Sequence, residues 1–167
     1  SSFISTGLMF HQIYIFDQKG WSLEMLGNGY ILLGFFSIVG LLLGGPLVDK
    51  LDTKKTAITV LVPLLLSVII LLFFDSLFSL IVYMSLYGLN MGIGRPFIGS
   101  LWAELYNLES LGTVKALLHA GAVFASALSP LVFGYFIDWG LGITSIAIIS
   151  IIIIIVSTLL PIYNKLP

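Results

Sequence analysis

Few side chains in this sequence could bind a solute, and they lie within long apolar segments. Arg95 is a cation inside such a segment. At about 100° per residue of a helix, Gly88, Gly92 and Arg95 share one side, so the guanidinium should face other helices rather than lipid. A guanidinium in that position can hold an anion such as a carboxylate through two parallel hydrogen bonds. The alternative is a structural role, in which Arg95 pairs with Glu104 or extends toward the membrane surface.

Other polar side chains inside apolar segments are candidates for lining a solute cavity, because polar groups in lipid are costly and indicate function by default. They are His11 and Gln12, Tyr87 and Asn90, and His119 and Ser126. His11 and Gln12 lie near the end of their segment, which favours a role at the cavity mouth. Either histidine is also a candidate site for a coupling proton. The alternative for Asn90 and Ser126 is hydrogen bonding between helices.

Composition shows what surrounds these side chains. Of the 167 residues, 59% are hydrophobic and 9% are charged, whereas a soluble domain has roughly a quarter charged residues. The chain must therefore have lipid as its solvent. The sequence has no cysteine, nucleotide-binding loop or cluster of metal ligands, so we expect no cofactor, no metal and no nucleic-acid partner.

Six apolar segments follow one another, and each should be a helix because lipid leaves backbone groups to be satisfied within their own segment. They cover about residues 1–16, 28–48, 56–74, 77–101, 113–137 and 143–162. The first is short, so we expect the sequence to start inside a longer protein. Connections on one side carry most of the lysines, namely Lys50, Lys54, Lys55, Lys115 and Lys165, against Lys19 on the other. The positive-inside rule then predicts that this side and the C-terminus are cytoplasmic.

Small residues predict how the helices pack. Glycine is frequent in the second and fourth segments, the fifth is rich in Gly, Ala and Ser, and the third and sixth have no interior glycine. Helices packed on several sides need small residues, whereas lipid-facing helices do not. This period of three predicts an all-α, six-helix membrane bundle made of two inverted three-helix repeats, each ending in a peripheral helix. The matching ends Gly45-x-x-x-Asp49 and Gly134-x-x-x-Asp138 fit such an inversion.

The connection between the second and third segments carries a recognisable motif. The run Gly45-Pro46-Leu47-Val48-Asp49-Lys50-Leu51-Asp52-Thr53-Lys54-Lys55 resembles the G-x-L-x-D-[RK]-x-G-x-[RK]-[RK] loop of the major facilitator superfamily. Asp52 departs from it, since the family has a second glycine there. The resemblance implies the C-terminal six-helix half of a twelve-helix transporter, with its first helix truncated. It also implies that the loop acts in gating, through Gly45, Asp49, Lys50, Lys54 and Lys55.

Two further parts of the chain are similar to a group of bacterial members of the superfamily, which implies a bacterial inner membrane. They are residues 10–12 with 19–22, and residues 102–115 with Ser129-Pro130, Gly134 and Asp138. The function implied is secondary active transport of a small solute by rocking against an N-terminal half, with no enzymatic activity. The partners implied are the lipid bilayer, that other half, a small-molecule substrate and a coupling proton or ion. Arg95 favours a small organic anion as the substrate.

The alternative function is that of a six-span membrane protein of another class. An intramembrane enzyme would have to use His11, His119 or Arg95 as its acid and base groups. A channel-like homo-oligomer would work without a second half.

Overall fold

The computed structural model describes residues 2–105 and 108–163, without the side chains of residues 53–54, 99–105, 108–111 and 160–163. Within these ranges the chain forms seven α-helices and no strand. The helices are α1 (Ser2–Phe10), α2 (Gln12–Gln18), α3 (Leu23–Lys50), α4 (Thr53–Phe73), α5 (Leu77–Leu105), α6 (Leu108–Asp138) and α7 (Gly142–Tyr163). Helices α3 to α7 are long and apolar enough to cross a membrane. The all-α membrane class predicted from the sequence is confirmed.

The helix count differs from the predicted six because the first apolar segment is divided at His11. The backbone of His11 leaves the helical region, with φ −94° and ψ 19°. Hydrogen bonding nevertheless continues across the division, since the His11 N–H donates to the Gly7 carbonyl and the Ile15 N–H donates to the His11 carbonyl. The described residues thus contain seven helices, five of them of spanning length.

Side-chain caps fix the starts of α3 and α4. The Ser22 hydroxyl accepts the Met25 N–H at 3.3 Å, and an Asp52 carboxylate oxygen accepts the Lys55 N–H at 2.8 Å. Asp and Ser are among the strongest residues for this task. Asp52, which departs from the family motif, therefore starts α4, and its φ of −64° does not require a glycine.

The closest packing is between α3 and α5, which run parallel. A Cβ atom on Gly88 would lie 2.4 Å from the Leu33 carbonyl oxygen. One on Gly92 would lie 2.1 Å from the Ser37 carbonyl oxygen. The two backbones are thus in direct contact, which glycine permits. The close packing predicted for the second and fourth segments is confirmed at this interface.

A second parallel pair, α1 and α6, repeats this arrangement. A Cβ atom on Gly7 would lie 2.2 Å from the Ser129 hydroxyl oxygen, and the rings of Phe3 and Phe133 meet edge to face at 5.7 Å. In the two predicted repeats, α1–α2 corresponds to α5, α3 to α6 and α4 to α7. Under this correspondence the α3/α5 pair is equivalent to the α1/α6 pair. The correspondence also maps the α4/α7 pair onto itself. All three pairs are in contact, as an inverted repeat requires.

The glycine-poor third segment packs on its neighbours without glycine, and it keeps the exposed apolar side expected of a peripheral helix, at Val62, Leu66 and Phe73. Helix α4 packs on both α5 and α7, and its Leu64, Val68 and Leu71 are fully buried. By contrast, residues 115–121 of the small-residue-rich α6 are all exposed. Small residues on α6 therefore lie on a face that the described chain leaves open.

Polar contacts join two connections at the end of the bundle that contains Trp21. Lys19 Nζ pairs with the Asp75 carboxylate and donates to the Phe74 carbonyl at 3.3 Å. Trp21 Nε1 donates to the Asp75 carbonyl at 2.8 Å, and its ring packs edge to face on Phe16 at 5.1 Å. These contacts tie the α2–α3 connection to the α4–α5 connection.

Candidate functional site

Three of the predicted site residues come together in one cleft. Arg95 of α5 and His119 and Ser126 of α6 line a space of about 710 Å³, which Ser2 of α1 also borders. We call it the basic cleft. Met91 is the middle residue of the 29-residue α5. Arg95 is four residues away from it, a distance of about 6 Å along the helix axis. The cleft therefore lies within the depth that the apolar helices define.

Lys115 also lines the basic cleft, and sequence reasoning used it only for orientation. It precedes His119 by four residues and Ser126 by eleven, so all three share one stripe of α6. That spacing was the available signal. It was missed because a lysine near a helix end usually indicates orientation rather than a site.

The basic cleft carries positive charge. It is lined by Arg95, Lys115 and His119, and none of the described residues that line it is acidic. Neither Arg95 nor Lys115 has an ion-pair partner among the side chains that the structure describes. The side chain of Glu104, the alternative partner for Arg95, lies outside the described residues. Such a cleft can attract an anion and hold it through charge-assisted hydrogen bonds.

Packing against α3 positions the Arg95 segment. A Cβ atom on Gly44 would lie 2.6 Å from the Pro96 ring, so Gly44 makes room for the proline. Helix α5 continues through Pro96. Arg95, the residue before it, is rotated from Pro96 by about 100° around the helix axis. Arg95 consequently lies beside the α3 contact rather than within it, and its side chain is exposed in the cleft.

Tyr87 lines a second space, of about 420 Å³, between α1 and α5. Its other lining residues are Ser5, Thr6, Met9, Phe10 and Met91, and we call it the methionine pocket. The Tyr87 hydroxyl donates to the Ser5 carbonyl at 2.6 Å, and the residue is fully buried. Tyr87 thus borders this pocket with its hydroxyl already bonded, and it offers no exposed surface.

Asn90 and Gln12 lie in neither space. Asn90 Nδ2 donates to the Val60 carbonyl at 2.7 Å, which ties α5 to α4. Gln12 accepts from the Tyr83 hydroxyl at 3.4 Å and approaches the Met84 sulfur at 3.8 Å. Both residues are buried. In this structure they make contacts between helices, the alternative role stated for Asn90.

His11 is half-buried and also lies outside both spaces. Its Nδ1 lies 3.1 Å from the Gly7 carbonyl oxygen. Its ring is 6.3 Å from that of Phe133. The two histidines of the chain therefore do not share one site.

In the loop resembling the family motif, Asp49 and Lys50 are exposed. No atom lies within 4 Å of a Cβ built on Gly45. Lys55 Nζ pairs with the Asp52 carboxylate at 2.9 Å, and the Lys54 side chain lies outside the described residues. The loop thus leaves Asp49 and Lys50 accessible to another part of the protein.

Comparisons with curated proteins and with solved structures gave no match. The model of the Major Facilitator Superfamily matches residues 1–165. The match includes every helix of the bundle and both spaces described above. The chain belongs to the major facilitator superfamily, a family of membrane transporters.

Proposed function

We propose that this chain is the C-terminal half of a secondary active transporter that carries a small organic anion. It works by rocking against an N-terminal six-helix half in a bacterial inner membrane. Membership of a transporter family supports transport. The observation that supports an anionic substrate is the basic cleft. Arg95, Lys115 and His119 line it, and none of its described lining residues is acidic.

The depth of these cations supports a water-filled path. Arg95 and His119 are each about 6 Å from the middle of their helices, and both are exposed. Ionisable groups at such depth face a cavity or a protein partner, because lipid contact is too costly. A solute path between two halves of a transporter provides that environment.

Two unpartnered helix faces support a second half. On α3, exposed apolar residues follow a helical stripe: Ile31, Phe35, Ile38 and Leu42. On α6, the exposed residues 115–121 include small residues and two basic side chains. The basic side chains on α6 fit a protein partner or a water-filled path better than lipid. These faces are where the N-terminal half would pack.

The lysines support an orientation of the bundle in the membrane, and Asp49 supports a gate on the cytoplasmic side. Lys50, Lys55 and Lys115 lie at one end of the bundle, which the positive-inside rule assigns to the cytoplasm. Asp49 lies in the last turn of α3, where helix carbonyls disfavour a carboxylate, so it needs a cationic or helix-N-terminal partner. Its exposure supports a contact with the other half that closes the cytoplasmic side.

His119 is the candidate site for a coupling proton.

The experiment is uptake by the full-length protein in proteoliposomes, with a panel of small carboxylates and matched neutral solutes. We expect accumulation of at least one carboxylate and its loss in Arg95→Gln. A matched control is Lys19→Gln, which removes a cation outside both the cleft and the gating loop. Equal uptake of neutral solutes by the wild type and Arg95→Gln, without carboxylate uptake, would overturn the anion assignment.

A further inference from the structure

We propose, on the basis of the transport function above, that the substrate is an amphipathic anion. Its charged group binds in the basic cleft, and its apolar part occupies the methionine pocket. This narrows the substrate from any small organic anion to one with a ring or a short alkyl chain attached to the charge.

The two spaces adjoin each other along the same pair of helices. On α5, Arg95 lines the basic cleft, and Met91, one turn away, lines the methionine pocket. On α1, Ser2 lines the cleft, and Ser5, also about one turn away, lines the pocket. Both walls therefore pass from one space to the other within about 5.4 Å. A molecule longer than a bare carboxylate would extend from one into the other.

The lining of the methionine pocket favours an apolar group. Met9 and Met91 provide flexible thioethers, which adapt to irregular apolar shapes. Phe10, which is 71% exposed, provides ring surface. The Tyr87 hydroxyl is bonded to the Ser5 backbone carbonyl, which leaves the hydroxyls of Ser5 and Thr6 as the polar side-chain groups of this lining. None of the described residues that line this pocket is charged.

The two linings differ in charge, and this difference would orient a bound substrate. Among the described residues that line the two spaces, the basic side chains lie in the basic cleft and the methionines lie in the methionine pocket. The spaces measure about 710 and 420 Å³, which is within the usual range for small-molecule sites. A symmetric dianion would leave the pocket unused, and a neutral apolar solute would leave the cations unpaired.

The test is calorimetric binding of acetate, butyrate and hexanoate to the purified full-length protein. Burial of one methylene contributes about 0.8 kcal/mol, so affinity should rise up to about fourfold per methylene. Hexanol and hexylammonium are the controls for charge, and both should bind at least tenfold more weakly than hexanoate.

Variants separate the two spaces. Phe10→Ala and Met91→Ala should reduce the gain from acetate to hexanoate at least threefold while leaving acetate affinity unchanged. Phe78→Ala is the matched control for Phe10→Ala, because the two rings are similarly exposed, at 72% and 71%. Phe78 lines neither space. Arg95→Gln should weaken all three carboxylates by a similar factor.

The outcomes distinguish this inference from the function on which it rests. If hexanoate binds no tighter than acetate while Arg95→Gln weakens both, the amphipathic substrate is wrong and the anion transporter stands. An unchanged chain-length gain in both pocket variants also overturns the inference. If no carboxylate binds, or hexanol binds as well as hexanoate, the anion assignment fails as well.

Discussion

Helix α5 has two contrasting sides. Toward α3, Gly88 and Gly92 bring backbone against backbone and leave no space for a methyl group. Toward α1 and α6, Met91 and Arg95 line open spaces of about 420 and 710 Å³. The same helix is thus fixed on one side and leaves room for a solute on the other.

Small residues therefore serve two purposes in this fold. At the α3/α5 interface they allow a rigid contact within the chain. On α6, Gly121 has no atom within 4 Å of a Cβ position, and its neighbours are exposed. There the small residues border a cleft and a face for another part of the protein. We expect substitutions on the filled side to change stability and those on the open side to change affinity.

The largest expected effect is on the filled side. Gly92→Ala places a Cβ atom 2.1 Å from the Ser37 carbonyl oxygen, so the helices must separate. Overpacking of this kind costs about 1–3 kcal/mol, and we expect a clear loss of thermal stability in detergent. Gly34→Ala is the matched control, since nothing lies within 4 Å of its Cβ position. Equal stability of the two variants would contradict the packing described.

A smaller loss of stability is expected for Asn90→Ala. It removes the hydrogen bond to the Val60 carbonyl at 2.7 Å, and bonds between membrane helices contribute about 0.6–1.7 kcal/mol. Chemical denaturation should show that loss with carboxylate affinity unchanged. Asn28→Ala, at an exposed position of α3, should leave both unchanged. A changed affinity in Asn90→Ala would instead indicate that this residue contacts the substrate.

On the open side, Lys115→Gln should leave stability unchanged. It removes a cation of the basic cleft, and an exposed charge interaction is worth up to about 1 kcal/mol. Affinity for a carboxylate should therefore fall about threefold to fivefold. Calorimetry at low and high salt should show the difference shrinking as salt screens the charge. A similar effect from Lys19→Gln, outside the cleft and the gating loop, would mean that overall charge, and not the cleft, is responsible.

The smallest effect is expected at the Lys19–Asp75 pair, which is remote from both sides compared here. The side chain of Lys19 is 5% exposed and that of Asp75 is 72% exposed. Because Lys19 keeps its hydrogen bond to the Phe74 carbonyl and Asp75 is in solvent, we expect the pair to contribute at most about 1 kcal/mol. Asp75→Asn should lower thermal stability slightly and leave uptake unchanged. Because Trp21 bonds to the Asp75 backbone carbonyl, that contact should survive the substitution. A large loss of uptake would show that this connection takes part in the transport cycle.

The sequence predicted the class and one interface of this fold, and the reasons for its failures are physical. Gly88 and Gly92 identified a close contact because no other residue permits one. Gly121 carried the same signal without a neighbour, since a small residue does not show whether its partner lies within the chain. Helix α4 shows that close packing does not require glycine, since it packs through the fully buried Leu64, Val68 and Leu71.

The candidate site was predictable only in part. Arg95, His119 and Ser126 were chosen individually, and their convergence depends on how α5 and α6 pack. Asn90 and Gln12 could not be separated from them, because a polar residue that bonds a neighbouring helix and one that lines a cavity look alike in an apolar segment.

The most direct test of the basic cleft is the affinity of the full-length protein for a transported carboxylate in the wild type, Arg95→Lys and Arg95→Gln. Loss of a charge-assisted hydrogen bond costs about 1.5–3 kcal/mol. We predict a weakening of about tenfold to a hundredfold in Arg95→Gln and a smaller one in Arg95→Lys, with thermal stability unchanged. Equal affinity in all three proteins would contradict the assignment of Arg95 to the substrate.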